Sequence, residues 1–237
     1  MEDKETVYTC SGADETTVQT RCNPMPLIGD DAPEFTADST QGKIHFPQDF
    51  AGKWVILFSH PADFTPVCTS EIATFAAMAD EFKAMNTELV GISVDSVSSH
   101  LAWLKTIQEK VRFGKYDGQK INFPIVADVK MDVAEKYGMI QPSSSDTKAV
   151  RAVFFIDPNK KIRAILYYPM SAGRNFAEIK RLLQALQITD KYGISTPADW
   201  QEGDDVLIPA PANMEELSLG YEDDEDGPWF FHRRKLH

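Results

Sequence analysis

The feature that most constrains this chain is an unbroken apolar run, Trp54–Phe58, which ends at Ser59. The run has the length of a strand, and a strand that is apolar at every position must be buried on both faces of a sheet. A loop containing Pro61 and Pro66 follows, and after the loop apolar residues recur at helical spacing. Strand, loop and helix in this order predict a sheet with helices packed on its faces.

Later segments continue the same α/β pattern. Glu88–Asp95 is rich in β-branched residues and predicts a second strand. Leu101, Leu104 and Ile107 recur at helical spacing, which predicts a helix over residues 98–110 with these three residues on its buried stripe. We therefore predict an α/β fold with a central mixed sheet flanked by helices. The remaining predicted elements are a strand at 124–127, a hairpin of strands at 152–156 and 162–168, and a helix capped by Asn175.

Acidic charge is concentrated at the two ends of the chain. The formal net charge is −12, of which residues 1–26 carry −3 and residues 198–237 carry −8. Nucleic-acid binding requires clustered positive charge, so we do not expect it of this chain. Prolines become frequent after residue 190, and no long helical pattern follows. These observations predict an acidic N-terminal extension (1–26), a globular domain (27–190) and a small extended C-terminal domain with an acidic tail (191–237).

The cysteines and the hydropathy pattern bear on where the chain works. No apolar stretch reaches the roughly 18 residues of a membrane span, and the first residues lack the apolar core of a signal peptide. We therefore expect no membrane association and a cytoplasmic location. The chain has three cysteines, Cys10, Cys22 and Cys68. An odd number of cysteines argues against a secreted disulfide framework and leaves at least one thiol free for chemistry.

Cys68 has the position of a reactive thiol, between the end of the buried strand and the first turn of the next helix. A helix N-terminus stabilises a thiolate by only about 0.3–1 kcal/mol, so a nearby cation must also contribute. Thr65 can place its hydroxyl near the sulfur, and Pro61 and Pro66 restrict the loop and can shield it from water. Judged by position alone, Cys68 could equally be a buried structural thiol.

The motif around Cys68 resembles a known family signature. Pro61-x-x-x-Thr65-x-x-Cys68, followed by Glu71, resembles the active-site motif of the peroxiredoxins, which are thiol peroxidases with a thioredoxin-like fold. The string from Leu57 to Glu71 is most similar to the one-cysteine, peroxiredoxin-6-like subfamily. The resemblance covers roughly residues 27–210 and includes the segments 93–96, 100–103, 123–128, 151–158, 173–176 and 196–200.

The resemblance implies a role for each residue of the motif. Cys68 would attack the terminal peroxide oxygen and become a sulfenic acid. Arg151 would lie beside the thiolate and hydrogen-bond the peroxide. Thr65 would also bind the peroxide, and Pro61 would shield the sulfur. His60 would lie near the cysteine as a substrate-binding residue.

Two further residues are implied as supports of the site. Glu71 and Arg174 resemble the groups that hold Arg151 in place in this family. As residues alone, His60 could be a packed loop histidine and Arg174 a surface arginine at a helix start.

The fate of the sulfenic acid depends on the other two cysteines. No cysteine follows Cys68, so the C-terminal resolving cysteine of two-cysteine peroxiredoxins is absent. Cys10 and Cys22 could resolve the sulfenic acid, pair with each other or have no role. Their spacing, with no nearby histidine, does not suit a zinc site.

The implied activity is the reduction of hydrogen peroxide and alkyl hydroperoxides, with electrons from an external thiol such as thioredoxin or glutathione. We expect no nicotinamide, flavin, haem or metal cofactor, because no matching motif or ligand cluster is present. The resemblance also implies a homodimer or a decamer, with the C-terminal domain packed across the partner. The alternative is a non-enzymatic thioredoxin-like holdase or scaffold in which Cys68 is incidental.

Overall fold

A single seven-stranded sheet forms the centre of the protein. A computed structural model describes residues 25–217, 228 and 230–236. Each strand and helix predicted from the sequence is present, with bounds that agree to within a few residues, and further elements were not predicted. In chain order they are β1 (Phe35–Ser39), β2 (Gly42–Phe46), a 3-10 helix (Gln48–Phe50), β3 (Trp54–Ser59), α1 (Pro66–Ala84), β4 (Thr87–Ser93), α2 (Val97–Lys110), β5 (Ile125–Ala127), α3 (Asp132–Lys136), β6 (Arg151–Ile156), β7 (Ile162–Tyr168), α4 (Phe176–Tyr192), β8 (Val206–Leu207), α5 (Met214–Leu217) and β9 (Arg233–Arg234).

The sheet is mixed, as the sequence predicts. Its strand order is β2-β1-β5-β4-β3-β6-β7. Strands β3, β4 and β5 run parallel to one another, whereas β6 and β7 are antiparallel to their neighbours. The hairpin of β1 and β2 joins the other side of the sheet through an antiparallel contact with β5. This topology places the end of β3 beside the beginning of β6.

Strand β3 is buried on both faces because helices cover both sides of the sheet. Trp54, Ile56 and Phe58 pack in one core cluster with residues of α1, α2 and α4. Val55 and Leu57 pack in a second cluster with residues of α3 and the neighbouring strands. Alternate side chains of a strand point to opposite faces, so one apolar run contributes to both clusters.

The buried stripe of α2 differs from the predicted one. Leu101 is half exposed, and the buried residues are His100, Trp103 and Ile107. Both sets have helical spacing, so periodicity alone could not distinguish them. The polar His100 occupies a core position because Asp63 supplies it with a buried hydrogen-bond partner.

The last long helix begins as predicted and leads into the C-terminal part of the chain. The Asn175 side chain accepts hydrogen bonds from two backbone N–H groups of the first turn of α4. The helix ends at Tyr192 and is capped by Gly193, whose positive φ of 62° suits a helix C-terminus. It therefore continues just past the predicted domain boundary at 190. Beyond it, β8 pairs with β9.

Several predicted features lie outside the described residues. These are Cys10, Cys22 and residues 218–227 of the acidic C-terminal tail. Within the described parts, the protein has no helix that is both long enough and apolar enough to cross a membrane.

Candidate active site

Cys68 lies in the first turn of α1 and is fully buried. Thr65 is the N-cap residue with an extended backbone, and Pro66 occupies the first helical position, where a missing N–H disrupts no hydrogen bond. The preceding residue, Phe64, has a positive φ of 57°, a conformation that residues other than glycine rarely adopt. The chain therefore turns sharply before the helix and places Cys68 next to the end of β3.

Arg151 is the cation that the position of Cys68 requires. It opens β6, and its Nη1 donates to the Sγ of Cys68 at 3.3 Å. The same nitrogen donates to Glu71 Oε2 at 2.8 Å. Its Nε and Nη2 both donate to the Met170 carbonyl oxygen, at 3.0 and 2.7 Å. The side chain is therefore fixed by two acceptors, the Glu71 carboxylate and the Met170 carbonyl oxygen, while Nη1 also faces the sulfur.

Glu71 joins the two arginines of the site. Its Oε2 accepts from Arg174 Nη2 at 2.6 Å in addition to Arg151. Its Oε1 accepts from the backbone N–H and the Nε of Arg174, at 2.9 and 3.0 Å. All three side chains are buried. Two guanidinium groups and one carboxylate leave a net positive charge next to Cys68, where it can stabilise negative charge that develops during a reaction.

Ser59 fixes the beginning of β6, a role that was not predicted from the sequence. Its hydroxyl donates to the Val150 carbonyl oxygen at 2.6 Å and accepts from the Ala152 N–H at 2.9 Å. Both contacts are buried and flank Arg151 in the chain. The polar residue that ends the apolar run thus positions the backbone that carries the arginine.

A cavity of about 230 Å³ opens beside these residues. The Thr65 hydroxyl donates to the Ala62 carbonyl oxygen at 2.9 Å, so its oxygen keeps lone pairs for accepting a hydrogen bond. Lys148 and Met170 also lie at this cavity, although neither was predicted to belong to the site. The lining residues are Pro61, Ala62, Thr65, Pro66, Val67, Lys148, Arg151 and Met170.

His60 does not line this cavity but is buried in a cluster with Asp63 and His100, neither of which was predicted to belong to the site. Its Nε2 lies 2.9 Å from Asp63 Oδ1, and His100 Nδ1 lies 2.8 Å from Asp63 Oδ2. The His60 ring also packs against Trp103, with 5.0 Å between ring centroids. Of the three residues in this network, only His60 was predicted from the sequence to have a role at the site.

Burial and hydrogen bonding shift the pKa values within this cluster. Burial lowers the pKa of His60, and it outweighs the hydrogen bond and charge of Asp63. Burial alone would raise the pKa of Asp63, but the hydrogen bonds of His100 and His60 hold it well below its usual range. The carboxylate is therefore ionised between the two imidazoles.

The same three side chains have the composition of a metal site. One ligand atom from each lies within 4.8 Å of the others. Those atoms are already engaged in the hydrogen bonds between the carboxylate and the two imidazoles. The hydrogen-bonded network accounts for their arrangement without an ion.

Comparisons with known proteins place this site in a family. Residues 28–165 match the AhpC/TSA family, and residues 185–222 match the C-terminal domain of 1-Cys peroxiredoxin. A peroxiredoxin of Methanosarcina mazei is 59% identical over 215 residues, which cover 89% of this chain and 98% of that protein. A peroxiredoxin of Aquifex aeolicus is 46% identical over 226 residues, covering 90% of this chain and 98% of the relative.

Solved structures agree with the sequence comparisons. A yeast mitochondrial 1-Cys peroxiredoxin, studied for thiol resolution via glutathione and thioredoxin systems, superposes with a TM-score of 0.76 at 41% identity, covering 90% of this chain and 100% of the other. A cysteine-to-serine mutant of peroxiredoxin 6 of Arenicola marina gives a TM-score of 0.78 at 33% identity, with coverages of 90% and 99%. The fold is thus thioredoxin-like, as expected. The chain belongs to the AhpC/TSA family and, within it, to the one-cysteine peroxiredoxins, which are thiol-dependent peroxidases.

Proposed function

We propose that Cys68 is the nucleophile with which this peroxidase reduces hydrogen peroxide and alkyl hydroperoxides. Its thiolate attacks the terminal oxygen of the peroxide, a sulfur–oxygen bond forms and the oxygen–oxygen bond breaks. The sulfur loses two electrons and becomes a sulfenic acid. The departing hydroxide or alkoxide takes up a proton and leaves as water or an alcohol.

The single observation that carries this proposal is the contact between Arg151 Nη1 and Cys68 Sγ. A helix N-terminus contributes only about 0.3–1 kcal/mol to an anion. A hydrogen bond to a charged group contributes about 1.5–3 kcal/mol. The arginine is therefore the larger of the two effects that favour the thiolate.

The cavity supplies the remaining requirements for peroxide binding. Thr65 Oγ1 can accept a hydrogen bond from the peroxide hydroxyl, because its own proton is directed to the Ala62 carbonyl oxygen. Arg151 can donate to a peroxide oxygen as well as to the sulfur. Pro61 forms part of the apolar wall, which limits access of water to the sulfur. We assign Glu71 and Arg174 to holding Arg151, as their shared hydrogen bonds support.

Recycling of the sulfenic acid is assigned to an external thiol such as thioredoxin or glutathione. The yeast relative, described with both of these systems, supports this assignment. Cys10 and Cys22 stay as alternative resolving thiols. A cytoplasmic location is consistent with this chemistry, since thiols stay reduced there.

We also propose that residues 27–190 carry the chemistry and that residues 191–237 contribute to a homodimer or a decamer. The match of residues 185–222 to the C-terminal domain of 1-Cys peroxiredoxin supports a distinct role for this part of the chain. The comparisons do not favour the alternative of a non-enzymatic holdase or scaffold.

Stopped-flow measurement of peroxide consumption tests the proposed nucleophile. The reduced wild-type protein should consume one equivalent of hydrogen peroxide rapidly, and Cys68→Ser should consume none. Cys10→Ser and Cys22→Ser serve as matched controls and should keep the first turnover. Unchanged consumption by Cys68→Ser would contradict the proposal. With a thioredoxin or glutathione system added, sustained turnover by both control variants would exclude their resolving role.

A further inference from the structure

The hydroxyl of Ser59 lies between two backbone groups on either side of Arg151. It donates to the Val150 carbonyl oxygen at 2.6 Å and accepts from the Ala152 N–H at 2.9 Å. The same N–H group also donates to the Val150 carbonyl oxygen, at 3.1 Å. A hydrogen bond between residues two positions apart defines a γ-turn, so Arg151 is the central residue of such a turn. Ser59 therefore bridges the two groups that close the turn.

Side-chain groups replace the backbone ladder between β3 and β6 at this point. The last antiparallel pair of the ladder is Phe58 with Val153. One step further, where Ser59 lies opposite Ala152, the Ser59 hydroxyl accepts from the Ala152 N–H. The carbonyl oxygens of these two residues both accept from Nη1 of Arg174, each at 3.0 Å. The two strands are therefore joined here by one hydroxyl and one guanidinium group.

The burial of this junction makes the Ser59 hydroxyl difficult to replace. Ser59, Val150 and Ala152 are all buried. A backbone N–H or carbonyl group that has no access to water needs a partner within the protein. Water therefore cannot take the place of the hydroxyl, and the γ-turn depends on Ser59 for its connection to β3.

The γ-turn sets the starting point of the Arg151 side chain. At the far end of that side chain, Nη1 donates to Cys68 Sγ at 3.3 Å. The Glu71 carboxylate and the Met170 carbonyl oxygen also accept from the guanidinium group. These contacts fix the tip of the arginine, whereas the Ser59 hydroxyl fixes its backbone. A catalytic group must be held to within about 0.5 Å of its productive position, so hydrogen bonds that support it affect the rate.

We propose that Ser59 is a positioning residue for the peroxidase reaction, because its hydroxyl holds the γ-turn at Arg151 and so directs the guanidinium group towards Cys68 and the bound peroxide. This inference rests on the proposed role of Cys68 as the nucleophile. Ser59 acts through Arg151 alone. Its hydroxyl takes no part in the transfer of protons or electrons.

Removal of the hydroxyl tests this role. In Ser59→Ala, which keeps the carbonyl contact with Arg174, peroxide consumption by the reduced protein should slow about tenfold in stopped-flow assays. A displacement of about 1 Å can slow a reaction about 100-fold, and a smaller effect is expected here because Arg151 keeps its contacts with Glu71 and Met170. Ser59→Thr, which retains a hydroxyl, should recover most of the wild-type rate. A folded Ser59→Ala protein with the wild-type rate would overturn the proposal.

Ser39→Ala is the matched control for loss of a buried hydroxyl. Ser39 ends β1 and is 4% exposed. Its hydroxyl also bridges two backbone groups, donating to the Gly42 carbonyl oxygen at 2.7 Å and accepting from the Gln41 N–H at 3.1 Å. Strands β5 and β4 separate β1 from β3 in the sheet. Ser39→Ala should therefore lose stability in urea while it keeps the wild-type rate, and an equal loss of rate in the two alanine variants would contradict the proposal.

A double-mutant cycle shows whether Ser59 acts through Arg151. Arg151→Gln removes the guanidinium group that the γ-turn positions. In this background, Ser59→Ala should leave the rate of peroxide consumption unchanged, although it should still lower the free energy of unfolding. A general structural effect of the hydroxyl would instead slow the reaction by the same factor in both backgrounds, and that result would refute the route through Arg151.

Failure of this proposal is distinguishable from failure of the proposed function. If Cys68 is not the nucleophile, the wild-type protein and Cys68→Ser will consume peroxide equally, whatever the Ser59 variants do. If Ser59→Ala does not fold, X-ray crystallography of the reduced wild-type protein decides the question. Ser59 Oγ should then lie within about 3.2 Å of both the Val150 oxygen and the Ala152 nitrogen. A rotamer that directs the hydroxyl away from the γ-turn would overturn the proposal.

Discussion

Neutralising Glu71 should destabilise this protein far more than neutralising an exposed glutamate of the same helix. Glu71 accepts four hydrogen bonds from two buried arginines. Glu71→Gln keeps the size of the side chain but leaves Arg151 and Arg174 without a buried counter-charge. Loss of one partner from a buried ion pair costs about 3–5 kcal/mol. That is a large fraction of the roughly 5–15 kcal/mol that stabilises a typical protein.

Glu81→Gln is the control for this prediction. Glu81 lies on α1 too, and its carboxylate pairs with Lys180 at 2.6 Å, but its side chain is 41% exposed. Exposed ion pairs contribute about 0–1 kcal/mol. Urea denaturation of the reduced proteins measures the loss of unfolding free energy, and thermal unfolding measures the change in melting temperature. For a protein of this size, the melting temperature should fall by about 6–20 °C in Glu71→Gln and by a few degrees at most in Glu81→Gln. Equal losses in the two variants would refute the reasoning about the buried arginines.

Arg151→Gln should slow peroxide consumption about 10- to 150-fold in stopped-flow assays, because it removes about 1.5–3 kcal/mol of hydrogen bonding to a charged group. The control variant Arg163→Gln, on β7, should keep the wild-type rate. Burial lowers the pKa of His60 in the folded state, so the unfolded chain binds more protons than the folded protein below about pH 6.5. The urea midpoint should therefore fall as the pH drops below this value. A steeper fall of the midpoint in His60→Gln than in the wild-type protein would contradict this prediction. Lys148 adds positive charge at the cavity. Lys148→Ala should therefore reduce the rate of reduction of a carboxylate-bearing hydroperoxide about two- to fivefold, measured by stopped-flow. The rate with hydrogen peroxide should stay unchanged.

The sequence was sufficient to predict the centre of the fold. The apolar run of β3 had to be buried on both faces, and the helical spacing after Pro66 defined α1. The hairpin of β1 and β2 was not predicted, although its apolar residues alternate with polar ones as in half-buried strands. Local pattern does not show that β1 pairs with β5, because that contact depends on tertiary packing.

The site shows a similar division between local and long-range information. The helix-start position of Cys68 and the need for a cation could be inferred from local sequence. Asp63 and His100 could not be identified in this way, because they meet only when α2 packs against the loop that precedes α1. The buried stripe predicted for α2 contained only apolar residues. His100 was therefore not expected at a core position of this helix. Long-range hydrogen-bond partners decide whether such a residue is buried.

The central claim is that the sulfur next to Arg151 is the atom that peroxide oxidises. The most direct measurement adds one equivalent of hydrogen peroxide to the reduced protein, traps sulfenic acid with a selective reagent and locates the adduct by peptide mass spectrometry. We expect the adduct on the peptide that contains Cys68, at a level matching the peroxide consumed. Consumption of peroxide with Cys68 unmodified, and the adduct instead on Cys10 or Cys22, would contradict the account.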